Sequence, residues 1–292
     1  MRFPAYLPGF FFRFLALVFF IRCCGGLFAT TFTARSKRAH ASGSNSIAFP
    51  TADFFDMQPL SRVKPDAKAS FGQDNTMSSR PKVAVKIAEC ISEWSDIESM
   101  LGIYLALLLD TDRQAALAMF SALDNRAGAL RMLEAATKSK LPEAHAEIFS
   151  ALLLGFIRPV MRERDKLAHW CWGQSPDLPD SLLLMEPSDK ISTHMRAIRP
   201  PKPVEFDRSK VFVVTEDDLE RMLKRFRTTE DYVASFMGTV WLSTAPELRD
   251  SLLQSLSKAP PIVEAVARLR KNQKNNPELP PISPQPEPSG KS

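Results

Sequence analysis

Arginine, aspartate and histidine stand close together in the run Arg164-Asp165-Lys166-Leu167-Ala168-His169. A guanidinium grips a phosphate through paired N–H donors, and an imidazole moves a proton near neutral pH. A neighbouring carboxylate fixes the imidazole's tautomer. On a helix Asp165 and His169 are four residues apart, so the spacing predicts that they share a face and hydrogen-bond. Arg158 and Arg162 fall on the same face. A helix C-terminus also favours a cation by about 0.3–1 kcal/mol. The candidate catalytic residues are therefore Arg164, His169 and Asp165, with Arg162 beside them as a substrate contact. Trp170 and Trp172 follow directly; their rings could stack on bases or pack at the helix end.

The bare Arg-x4-His spacing is not distinctive, because Arg35-Ser36-Lys37-Arg38-Ala39-His40 repeats it in a stretch with no helical period. Context separates the two. The second copy ends a long amphipathic segment, has Asp directly after Arg, and precedes a strand-like run.

The elements that must position this cluster can be read from apolar periodicity. A first helix is expected from about Val83 to Leu109, with its stripe on Ile87, Ile91, Trp94, Ile97, Leu101, Tyr104, Leu105 and Leu108. Asp110-Thr111-Asp112 offers a break and a fresh N-cap. A second helix is expected from about Asp112 to Lys138, striped by Met119, Ala122, Leu123, Leu130 and Leu133. Arg126 falls on that face, either at its edge with the head group in water or aimed at the cleft as a further substrate contact. A third helix, from about Pro142 to Trp170, carries Ile148, Leu152, Phe156, Val160 and Leu167 and ends in the cluster. Short connections make neighbouring helices antiparallel.

Beyond Gly173 six prolines, from Pro176 to Pro203, exclude a long helix. Leu182–Met185 and Val211–Val214 have strand character and are expected to pair as a hairpin with a long connection. Thr215-Glu216-Asp217-Asp218 resembles a capping box opening a fourth helix to about Leu242. Pro246 opens a fifth helix, and a sixth ends near Lys274. The expected fold class is all-α: an antiparallel helical bundle with a small β-hairpin inserted before the fourth helix, and disordered tails. The expected divisions are residues 1–80, a helical domain over 81–274, and a Pro-rich tail over 275–292.

Charge narrows the function classes. Net charge is +5, but residues 1–80 hold 10 Lys+Arg and 4 Asp+Glu, leaving 28 and 29 for the remainder. The domain itself is near neutral, so a general electrostatic affinity for nucleic acid is excluded and any anion site must be local. Cys23, Cys24, Cys90 and Cys171 form no disulfide framework and no zinc spacing, which fits a reducing, cytoplasmic compartment. Phe10–Ile21 is apolar but interrupted at Arg13 and too short for a clean span. It leaves three readings: a signal peptide, a membrane anchor over residues 10–28, or translation that starts at Met77. The first two carry membrane-associated or exported alternatives for the location.

Other chemistries lack their motifs. No nucleophile elbow, P-loop or dinucleotide-binding glycine pattern is present among eleven glycines, and no cofactor is expected. His145, near Glu143 and Glu147, is expected to face solvent rather than a metal. His194, in the Pro-rich connection, has no expected role.

At residues 83–242 the sequence resembles the HEPN family, whose all-helical members carry Arg-x4-6-His near the end of the third helix. Asp165, directly after Arg164, matches a residue type common there, and the hairpin before the fourth helix resembles a subset of members. The resemblance covers somewhat over half the chain, and its sharp part is Arg164 to Trp170. It implies a metal-independent endoribonuclease of stress response, defence or a toxin–antitoxin pair, acting at a homodimer interface. His169 would act on the ribose 2′-hydroxyl, Arg164 would steady phosphate charge, and Asp165 would orient His169 or the substrate. RNA, a second copy, and a cognate antitoxin or nucleotidyltransferase are the implied partners. Where some members have a modifiable tyrosine two places after the histidine, Cys171 stands here. Two other classes stay open: a non-catalytic interaction or nucleotide-binding module, and a membrane-anchored protein.

Overall fold

The computed structural model describes residues 57–72, 75–123, 125–198, 204–242 and 245–275. The apolar run at Phe10–Ile21, the Arg35–His40 repeat and the tail after 275 lie outside these residues. All described residues belong to one compact unit, Ala52–Ser292.

A 29-residue helix, α2 (Pro81–Leu109), forms the spine; it follows a four-residue turn of helix, α1 (Leu60–Val63). Proline at its first position costs no hydrogen bond, and Asp110 ends it in the left-handed conformation at φ 48°. Asp112 then caps the next helix by accepting from Ala115 N at 2.9 Å, as its place in the sequence predicts.

The expected second helix is two helices, α3 (Arg113–Ser121) and α4 (Arg126–Lys140). The break lies at Asn125, whose side chain accepts from Gly128 N at 3.2 Å and so restarts the helix. Asn offers the backbone a local partner that competes with helix continuation. The stripe changes accordingly: Ala116 and Phe120 are buried, whereas Met119 is exposed.

The third helix runs unbroken from Glu143 to His169 but is not uniform. It comprises α5 (Glu143–Leu152), a π-helical turn over Leu153–Ile157, and α6 (Arg158–His169). Pro159 explains the wide turn. Its ring has no N–H and would strike the carbonyl of Gly155, so the helix opens by one residue and Arg158 N bonds Leu153 O. Ile148, Leu152, Phe156 and Val160 repeat at intervals of four. A uniform α-helix would rotate that series by about 40° per step. The π-turn takes up the excess, and all four are buried. This is also the one stretch among the described residues long and apolar enough to cross a membrane; 61% of its apolar window is buried inside the protein.

The hairpin is present, as one end of a larger sheet. Strands β1 (Ser70–Phe71), β2 (Cys171–Gln174), β3 (Ser181–Met185) and β4 (Val211–Thr215) pair antiparallel in that order. The long β3–β4 connection contains α7 (Pro187–Ile198). Gly173 permits the β1–β2 approach: a Cβ there would lie 2.5 Å from Ser70 O. Gly173→Ala is therefore expected to cost about 1–3 kcal/mol, read as a lowered unfolding midpoint in urea; an unchanged midpoint would show that β1 is dispensable.

The domain starts upstream of residue 81. Residues 57–71 cover one sheet face, where Leu60 and Ala67 pack with Leu183, Met185, Val211 and Val213. Gln58 O accepts from Val213 N at 2.9 Å, and Ser61 N donates to Arg208 O at 3.0 Å.

The capping box holds at α8 (Glu216–Trp241). Thr215 Oγ1 accepts from Asp218 N, and Asp218 Oδ2 accepts from Thr215 N. This helix packs along α2. Between them Tyr104, Phe149 and Phe236 form a buried aromatic cluster with centroids 4.9–5.7 Å apart, and Tyr104 Oη meets Thr137 Oγ1 at 2.8 Å. Helices α9 (Pro246–Lys258) and α10 (Pro260–Asn275) complete the bundle. Arg270 pairs with Glu147 in two-point fashion, tying α10 to α5.

One α2–α8 contact is acidic. Burial, then the charge of Glu93 and a hydrogen bond with it, push the Glu230 carboxyl up to about 7. Arg227 Nε donates to Glu93 Oε1 at 2.9 Å. Since the unfolded carboxyl titrates near 4.5, the folded state holds the extra proton, and stability falls as pH rises from about 4.5 through 7. Glu230→Gln is expected to leave thermal stability unchanged at pH 4.5 and to raise it by about 1 kcal/mol at pH 8, after discounting for solvent. Equal shifts at both pH values would refute the assignment.

Candidate functional site

Helix α6 is anchored by a group not singled out in the sequence. Glu163 is buried, at 1% side-chain exposure, and its Oε1 lies 2.7 Å from Arg225 Nη2 on α8. An acidic residue one turn before buried Leu167 was the available signal: a carboxylate on an apolar stripe needs a buried cation. The pair fixes both the rotation and the depth of α6, and the next residue is Arg164.

Arg164, Asp165 and His169 do come together, but not by the expected bond. No hydrogen bond joins Asp165 to His169 among the described residues. Arg164 Nη1 instead donates to Asp165 Oδ1 at 3.1 Å and approaches His169 Nε2 at 3.4 Å. A guanidinium has no acceptor, so Nε2 must present its lone pair and the ring proton sits on Nδ1. The long guanidinium stem overrides the i,i+4 geometry and takes the carboxylate for itself. Arg164 is partly buried, its Nε fully enclosed and without a partner, while His169 is exposed. A basic nitrogen thus stands at the surface beside a fixed positive charge.

The helix stops at His169 because Trp170 turns extended; Trp170 N still bonds Lys166 O at 3.0 Å, and Trp172 Nε1 donates to Leu167 O at 3.1 Å. Trp170 packs against Phe212 on β4, with centroids 5.9 Å apart, and Lys166 Nζ lies 4.9 Å above its ring. Both contacts occupy the ring, which fits packing rather than an open base platform. Burial pushes the Lys166 amine down from its ordinary range, and the charge of Glu163 opposes that.

The other arginines divide. Arg162 is exposed, with no ion pair among the described residues. Arg158 is drawn aside to Glu134, at 3.6 Å. Arg126 lies at the start of α4 with Nε 2.7 Å from Glu98 Oε1, above a small pocket lined by Trp94, Leu101 and Met161. Its charge is engaged there, and no contact joins it to Arg164 or His169.

His145 is half-buried rather than solvent-facing. Burial, then the positive charge of Arg249, depress its pKa. Glu147, two residues further along the helix, is taken by Arg270. His194 is exposed, its ring 6.0 Å from that of Phe206.

Comparison with protein-family models, with curated proteins and with solved structures found no match to this chain.

Proposed function

We propose that the end of α6 is the active site of a HEPN-like endoribonuclease that cleaves RNA without a divalent metal. The supporting observation is the placement of His169 at an exposed helix end with its Nε2 3.4 Å from Arg164 Nη1. In this reading Arg164 turns to the substrate phosphate, and the Nε2 lone pair it releases accepts the proton of a ribose 2′-hydroxyl. The 2′-oxygen attacks the adjacent phosphorus, the P–O5′ bond breaks, and the 5′-oxygen leaves with a proton from the imidazolium or water. The products are a 2′,3′-cyclic phosphate and a 5′-hydroxyl. Arg164 offsets the charge gathering on the phosphoryl oxygens. Asp165 holds the Arg164 guanidinium rather than the imidazole, and Arg162 stands free to meet a flanking phosphate. Two copies would line one cleft, in a cytoplasmic setting with an antitoxin or nucleotidyltransferase as regulator. The test is cleavage of a labelled RNA in chelator by wild type, His169→Ala and Arg164→Ala.

A second reading is a binding module without turnover. It is favoured by the Arg164–Asp165 ion pair, which occupies one guanidinium donor. It predicts RNA or protein binding with no cyclic-phosphate product.

A further inference from the structure

Glu163 is the one charged side chain that is buried among the described residues. It stands where α2, α6 and α8 meet. Its Oε1 lies 2.7 Å from Arg225 Nη2 on α8. On α2, burial and then the charge of Glu163 push the Cys90 thiol up to about 12. Arg225 Nε is enclosed with no hydrogen-bond partner, so part of the hydration that this guanidinium gives up is not replaced. A buried pair of this kind adds little net stability, and apolar side chains of similar volume often serve a fold as well or better. Stability therefore does not explain the pair, and the proposed reaction does not use it.

We infer that Glu163 and Arg225 are a positioning pair that holds α6 at one rotation, so that Arg164 keeps its place beside His169; the inference rests on the ribonuclease reading for the reaction served, but not for the rotation set. At 100° per residue Arg164 stands 100° around the helix from Glu163. The angle at which Glu163 is held therefore sets the direction of Arg164, whose Nη1 lies 3.4 Å from His169 Nε2. The other buried contacts on this side of α6, Val160 and Leu167, lie within about 60° of Glu163. Apolar packing alone loses uniqueness before it loses stability. A charge-assisted contact between two particular atoms does not slide in that way. The consequence of a small error is large, because a displacement of about 1 Å at a reacting group can lower a rate about 100-fold.

The test compares the wild-type full chain with Glu163→Leu/Arg225→Met, which replaces the pair by apolar side chains. Carbon–proton NMR reads the rings of the four histidines, and the signal lost in His169→Ala assigns His169. The apolar variant is expected to melt at or above the wild-type temperature. Its His169 signal is expected to move toward the position found in Arg164→Ala. Its kcat for RNA cleavage is expected to fall about tenfold or more with KM within about twofold, since Arg164 meets charge that builds in the transition state. Arg225→Lys, which keeps a cation for Glu163, is expected to keep the wild-type signal and most of the rate. A wild-type His169 signal, or a wild-type kcat, in the apolar variant would overturn the proposal. So would an apolar variant that melts lower or does not fold, which would make the pair a prop of the core. Absence of cleavage by wild type would end the ribonuclease reading alone, because the histidine signal and the melting curve still decide the role of the pair.

Discussion

His169→Ala is expected to lower RNA cleavage by about 10²–10⁴-fold, the range for loss of a positioned general acid–base group. His169 is exposed and its polar contact is with Arg164 Nη1, so its loss is expected to remove little packing and the melting temperature to hold. Arg164→Ala is expected to cost a comparable factor by exposing the developing phosphoryl charge, but it also releases Asp165 and opens space around a partly buried stem. Arg164→Lys separates these effects: it keeps one charge and loses the second donor direction, so partial activity is expected. Asp165→Asn is expected to cost less than either, since this carboxylate holds the arginine and not the imidazole. Each variant is read by the rate of cyclic-phosphate product in chelator, beside a melting curve. Wild-type rates in both His169→Ala and Arg164→Ala, with the fold intact, would remove the ribonuclease reading. Absence of cleavage by wild type, with RNA bound, would leave the binding module.

A chain that begins at Met77 is expected to lose about 5 kcal/mol relative to one that begins at Ala52, a large part of an ordinary domain's stability. The segment between them supplies Leu60, wholly buried, with Met57 and Ala67, and uncovers Leu183, Met185, Val211 and Val213 when it goes. It also supplies β1, the partner of β2. Beginning at Ala52 keeps the comparison independent of the apolar N-terminal run. The expected result is a melting temperature lower by more than ten degrees, or insoluble protein; equal melting curves would show that residues 57–71 are an ornament on the sheet.

The helices were legible because their burial is periodic within each segment. Caps at Asp112 and Thr215 were legible because a cap is a short-range bond between named residue types. The split at Asn125 was hidden by Leu130 and Leu133, which continue an apolar pattern across a gap that only the cap reveals. Strand β1 was hidden for a different reason. Two residues carry no period, and Leu60 and Ala67 are buried only because a sheet from residues 171–215 arrives above them. At the site, the spacing brought Arg164, Asp165 and His169 together and mistook the bond between them. Helical spacing tells which Cβ atoms share a face; it does not tell which of two neighbours a long guanidinium will claim. The buried Glu163–Arg225 pair was in view as a charge on an apolar stripe, but its partner lies on another helix.

The widened turn at Leu153–Ile157 sets a phase. One added residue rotates everything after it by about 100° relative to everything before it. The half of the helix that builds the core and the half that bears Arg164 and His169 therefore keep separate registers, joined at a dislocation. The orientation of the chemistry is encoded in Pro159, five residues upstream of the arginine. Deleting a single residue within that turn would leave every side chain of the site in the sequence and point it elsewhere.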